Sequence, residues 1–178
     1  MSGEVDYRNF SGTPGKNPKY LSDSLTPWYG NWSPNIPGEL SIDYTGLPTG
    51  ECLARLIQTG FIGNRHLMFE FNQPQNIFGL TFETYVKESL LGAVLFYASR
   101  NPAATWLNEY LRWSAGISPG VAGSWVKRTL TMDKGGWDLS IGITTNPNVI
   151  LTRVKTLVIY SIANCGTFEV SGFNLRRL

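Results

Sequence analysis

The chain has 178 residues, the length of one domain, and is long enough to bury roughly 70 % of its unfolded surface without a disulfide framework or a metal. Charged residues make up 16 %, the formal charge is +2, and the basic residues are scattered singly apart from Arg176 and Arg177. No stripe could track a phosphate backbone, which excludes nucleic acid as an expected partner. Aromatic residues at 13 %, beside 19 Gly and 10 Pro, indicate strands joined by many turns rather than a helical bundle.

The first residues, MSGEVDYRNF, are acidic and polar where a signal peptide needs a basic and then an apolar segment. No apolar run reaches the roughly 18 residues of a membrane-spanning helix, so neither a signal peptide nor membrane insertion is expected. Asn9-Phe10-Ser11 and Asn31-Trp32-Ser33 match the glycosylation sequon and are read as chance matches. Residues 1–37 hold Pro14, Pro18, Pro27, Pro34 and Pro37 with no helical or strand period, which reads as an extended N-terminal arm preceding a domain at 38–178. Tyr7, Phe10, Tyr20, Trp28, Tyr29 and Trp32 give this arm more aromatic surface than a disordered linker carries. They are its candidate assembly residues, packing either on the chain's own domain or on a neighbouring subunit.

From Glu39 onward, short apolar runs bounded by turn signals predict strands at about 39–45, 51–58, 66–72, 77–87, 91–99, 122–131, 154–162 and 166–176. The resulting expectation is an all-β fold, a two-sheet antiparallel β-sandwich of about eight strands. Turn-forming residues cluster at 46–50, 60–64, 72–76 and 164–166. Leu67, Phe69 and Phe71 alternate with Met68, Glu70 and Asn72, as on a strand with one buried face. In the run Leu157 to Ile162 both alternating sets are largely apolar, which predicts a central strand covered on both faces. Between the strands, Asn101 can cap a short helix with Pro102 in its first turn and Trp106, Leu107, Tyr110 and Leu111 on one face. Cys52 and Cys165 are more than a hundred residues apart and read as two buried thiols.

Three stretches carry a resemblance. They are Leu80-Thr81-Phe82-Glu83-Thr84-Tyr85-Val86-Lys87, then Ser124-Trp125-Val126-Lys127-Arg128 before Leu130-Thr131-Met132, and then Val154 to Ile162 followed by Gly166-Thr167-Phe168-Glu169-Val170 and Gly172-Phe173-Asn174-Leu175. Together they resemble the jelly-roll modules of the galactose-binding type, found in carbohydrate-binding domains and in bacteriophage tail fibres and other virion surface proteins. The resemblance implies a jelly roll over residues 39–178, with the last two strands adjacent and antiparallel around a turn at Asn164-Cys165-Gly166. Such modules often carry an Asp in the last strand where this chain has Ser171, which removes a natural ligand for the family's structural calcium.

No catalytic residue, metal site or cofactor is expected. The one histidine, His66, reads as a strand-start residue with its imidazole at the surface, and a hydrolase triad needs a base beside its nucleophile. Metal-knuckle spacing, a phosphate loop and a dinucleotide fingerprint are absent from the sequence. Glu70 and Glu83, on consecutive predicted strands, are the carboxylate pair to inspect for glycoside cleavage. Glycan binding needs aromatic faces flanked by hydrogen-bonding side chains. Trp106, Asn108, Tyr110, Arg112 and Trp113 supply that mixture, as does the segment Trp28 to Trp32, while Trp125 and Trp137 are assigned to core or sheet edge.

The sequence and the resemblance together favour a non-catalytic phage virion accessory or surface protein. It would assemble through its arm as a homo-oligomer, with a trimer favoured, beside other virion proteins, and would bind host-surface polysaccharide as a second role. A free-standing carbohydrate-binding module is the alternative, and a polysaccharide lyase or glycosidase ranks third. The site would be the virion surface, reached from the host cytoplasm without a signal peptide.

Overall fold

The computed structural model describes residues 16–20, 27–36, 40–43, 55–59, 65–88, 94–113, 123–133, 139–142, 146–161 and 167–176. Twelve strands run in the order β1 (Lys16–Tyr20), β2 (Pro27–Pro34), β3 (Leu40–Asp43), β4 (Arg55–Thr59), β5 (Arg65–Gln75), β6 (Thr81–Glu88), β7 (Val94–Ser99), β8 (Tyr110–Trp113), β9 (Val126–Thr131), β10 (Leu139–Ile141), β11 (Val154–Ser161) and β12 (Thr167–Arg176). A seven-stranded sheet has the order β1-β2-β5-β11-β7-β8-β10, and a five-stranded sheet has the order β3-β4-β12-β6-β9. Every pairing between them is antiparallel. The fold is the expected all-β two-sheet sandwich.

The core lies between the sheets, where period-two alternation delivers one face of each strand. Leu67, Phe69 and Phe71 of β5 and Ile159 of β11 meet Phe82 and Val86 of β6, all essentially solvent-free. Phe82 and Phe96 touch edge to face across the gap, with centroids 5.7 Å apart. The other face of β11 is covered too, since Val158 is as buried as Ile159. Accordingly β11 stands fourth of seven in its sheet, as the two apolar sets of that run required.

All eight predicted strands have counterparts, and four more exist. Two of these, β1 and β2, fall within residues 1–37, and β2 pairs with β5 from Gly30↔Phe71 to Pro34↔Leu67. Prolines conceal such a strand because they remove ladder donors. Here Pro27 and Pro34 stand at the two ends of β2, and Pro18 sits in β1, the sheet's outermost strand, where a missing N–H breaks little. Tyr20 lies in β1 and Trp28, Tyr29 and Trp32 in β2, whereas Tyr7 and Phe10 lie outside the described residues, as do Cys52, Cys165 and Trp137.

One correction concerns the C terminus, where β11 and β12 do not form a hairpin. The ladder partners of β11 are β5 and β7, and those of β12 are β4 and β6. The chain crosses from one sheet to the other between them. Glu70 and Glu83 do not stand on neighbouring strands, since β5 and β6 belong to different sheets.

The ambiguous stretch before Trp113 divides in two. A 3-10 helix spans Ala103–Asn108, with Pro102 rather than Asn101 at its N-cap and non-helical angles at Thr105 (φ −131, ψ 15). Strand β8 then follows from Tyr110. The turn before β6 is built by Asn76, whose Oδ1 accepts the Phe78 N–H at 3.1 Å, and by Gly79 at φ +78.

Candidate functional site

The face of the seven-stranded sheet turned away from the core carries a second apolar cluster. Met68 of β5, Val158 of β11 and Tyr97 of β7 are buried there under Trp106 of the 3-10 helix, with Leu95, Ala103, Tyr110 and Tyr160 packed around them. The ladder explains the grouping, because Val158 is the register partner of both Met68 and Tyr97, and directly opposed residues share a face.

A diagonal row of rings crosses four neighbouring strands on this face. His66 of β5 stacks on Tyr160 of β11, with centroids 4.1 Å apart and planes at 27°. Tyr160 stands 5.6 Å from Tyr97 of β7, and Tyr97 stands 5.2 Å from Tyr110 of β8. With strands ~4.8 Å apart, three steps across the sheet make the row on the order of 15 Å long. Trp106 lies over it, 5.6 Å from His66, 4.8 Å from Tyr97 and 5.7 Å from Tyr110. The indole is 3 % exposed, and its burial stabilises this arrangement by roughly 3 kcal/mol.

The segment 100–109, which carries Trp106, is tied to the sheet by polar groups. Ser99 Oγ donates to the Glu109 carbonyl at 2.5 Å and accepts the Asn101 N–H at 3.0 Å. Thr156 Oγ1 donates to the Asn101 carbonyl at 2.7 Å. The Ala103 N–H donates to Glu70 Oε2 at 2.9 Å, and the other oxygen of Glu70 faces Lys155 Nζ at 3.4 Å. Arg100 grips the Glu109 carboxylate through Nε at 2.8 Å and through its Nη2, and that hydrogen bond holds the Arg100 guanidinium above its ordinary pKa. Behind the segment, Gly142 at φ +79 passes so close that a Cβ there would lie 2.3 Å from the Asn108 carbonyl oxygen.

His66 is not the surface imidazole expected from the sequence. Its ring is half-buried between Tyr160 and Trp106, and desolvation, with the Arg65 cation second, pushes its pKa down to about 4. The backbone of His66 is locked to Asn35, whose Oδ1 accepts the His66 N–H at 2.9 Å while its own N–H donates to the His66 carbonyl at 3.1 Å.

The predicted glycan-binding residues are not brought into one platform. Trp106 is buried, and Asn108 is exposed at the end of the 3-10 helix. Tyr110 and Arg112 are half-buried on the outer face, where Arg112 is the register partner of Tyr97. Trp113, one residue on, turns to the opposite face and packs against the main core, 6.2 Å from Phe96. The prediction assumed helical spacing through residues 106–113, whereas β8 imposes period two and sends 110 and 112 one way and 111 and 113 the other. Trp125 is half-buried beside the outer strand β9, with Lys87 Nζ 5.2 Å from its ring centroid. His66, Tyr97 and Tyr160 were missed as site residues. Each strand supplies a single ring to the row, so no local pattern in the sequence marks them as a group. Among the described residues, no three or more His, Cys, Asp and Glu side chains gather where they could hold a metal.

Comparison of the sequence with known protein families and with characterised proteins finds no match. Solved structures share the fold. A family 11 carbohydrate-binding module from Clostridium thermocellum, in complex with a β-1,3-1,4-mixed-linked tetrasaccharide, is similar at TM-score 0.51 and 13 % identity over 93 % of this chain and 97 % of that one. The solution structure of CtCBM11 is similar at TM-score 0.52 and 12 % identity, covering 93 % and 96 %. PfGH50B is similar at TM-score 0.52 and 9 % identity, over 84 % of this chain but 23 % of that one. The chain therefore shares a β-sandwich fold with these structures.

Proposed function

We propose that the protein is a non-catalytic glycan-binding module and that its ligand lies on the outer face of the seven-stranded sheet. The observation that carries this reading is the ring row His66–Tyr160–Tyr97–Tyr110, because the apolar face of a pyranose stacks on aromatic rings while flanking polar groups orient its hydroxyls. The shared fold supports it, since one of the similar structures holds a mixed-linked tetrasaccharide. Binding is favoured over cleavage because the two carboxylates described on this face are already engaged, Glu70 with Ala103 and Lys155, and Glu109 with Arg100. The virion expectation draws no support from the fold or from these likenesses, so the carbohydrate-binding alternative becomes the main reading.

Calorimetric titration with the β-1,3-1,4-mixed-linked tetrasaccharide, followed by a panel of soluble plant, algal and bacterial polysaccharides, tests it. Tyr160→Ala removes a half-buried ring that belongs to the outer cluster and not to the main core. It should weaken binding about tenfold, as the loss of one stacking contact of roughly 1.4 kcal/mol implies. If the wild-type chain binds nothing in the panel, the reading fails.

A further inference from the structure

Trp106 lies where a ligand would. It is the buried side chain of the 3-10 helix, yet it belongs to the outer cluster and not to the core between the sheets. Its indole contacts three of the four rings of the row. Beneath it, Met68, Tyr97 and Val158 form an apolar floor that would otherwise continue the row without interruption.

Trp106 is carried by the segment 100–109. Its ends are fixed to the sheet, through Asn101 at one end and Glu109 at the other. Between them, the Ala103 N–H donates to Glu70 at 2.9 Å and Asn101 Nδ2 donates to the Thr105 carbonyl at 3.4 Å. The helical repeat breaks at Thr105, and Ala104, Thr105, Leu107 and Asn108 are exposed. Lifting residues 103–108 therefore breaks the Glu70 bond and the longer Asn101–Thr105 bond and uncovers one indole, while the anchored ends can stay in place.

We infer that Trp106 is an internal stand-in for the ligand: a run of pyranose rings bound across the whole row displaces the indole, and Glu70 latches the cover that carries it. This rests on the glycan-binding reading above. The covered form cannot bind the full row, so the apparent dissociation constant exceeds the intrinsic one by the reciprocal of the open fraction.

The test uses full-length wild type, Trp106→Ala and Glu70→Ala, each titrated with the mixed-linked tetrasaccharide and with the polysaccharide panel. Hydrogen exchange at the Ala103 amide is followed with and without sugar. Trp106→Ala removes the stand-in, and Glu70→Ala keeps the indole but removes the latch, so a folding defect in one variant leaves the other informative. Both should bind about tenfold or more tightly than wild type, and sugar should speed exchange at Ala103 in the wild-type chain. Variants that bind no better than wild type, or an Ala103 amide that sugar protects, would overturn the displacement while leaving glycan binding intact, since Trp106 would then be part of the platform. No binding by any of the three proteins would overturn both readings.

Discussion

Gly142→Ala should be far more costly than the same change at the other glycines with positive φ. Gly79, Gly123 and Gly142 have φ of +78, +77 and +79, so a methyl group strains the backbone similarly at each, by about 1 kcal/mol. At Gly79 and Gly123 the added Cβ meets nothing within 4 Å. At Gly142 it would lie 2.3 Å from the Asn108 carbonyl oxygen and 2.9 Å from the Glu109 Cα, backbone atoms at the Glu109 end of the segment, which Ser99 and Arg100 hold in place and which no side-chain rotation can clear. Adding the roughly 1–3 kcal/mol typical of overpacking brings the cost of Gly142→Ala to about 2–4 kcal/mol, against about 1 kcal/mol for Gly79→Ala and Gly123→Ala. Urea denaturation at constant m reads the difference directly; for a chain of this size each 1 kcal/mol also lowers Tm by roughly 2–4 °C. Equal losses at the three positions would refute the claim that the turn after β10 abuts the end of the Trp106 segment.

Other perturbations address the core and the titratable group of the site. Phe69 is fully buried and edge-on to Phe71 at 5.1 Å, so Phe69→Ala should cost about 3–5 kcal/mol in the same assay; a loss below 1 kcal/mol would place that ring outside the core. His66 titrates near its ordinary value of 6.5 when unfolded and at about 4 when folded, so between those values the unfolded chain binds more protons. Its contribution to stability is therefore lost as the pH falls from about 6.5 towards about 4 and changes no further below that. The full shift corresponds to roughly 3 kcal/mol, and partial solvent access reduces this to about 1–2 kcal/mol. His66→Gln should flatten the stability profile over that window, and an unchanged slope in the variant would show that the imidazole is freely hydrated in the fold.

The fold class was legible because local rules decide it. Period-two alternation at Leu67–Phe71, turn residues such as Asn76, and two apolar sets in Leu157–Ile162 state strand, break and double coverage without any knowledge of neighbours. The double coverage of β11 also followed from the sequence, and the strand does lie inside its sheet.

Pairing was not legible, because it depends on residues far apart in the chain. Nothing in the run 27–34 announces a strand until β5 offers its edge, and nothing near residue 164 shows that β11 and β12 part into different sheets. The candidate site lies wholly in this second category. Tyr110 was read from the sequence as part of a helical face with Trp106 and ended on a strand facing Tyr97, while His66 and Tyr160 became stacking partners only because antiparallel register sets residue 66 opposite residue 160. Alternation tells each side chain which way to point; the register between strands, a tertiary property, decides which rings point at one another.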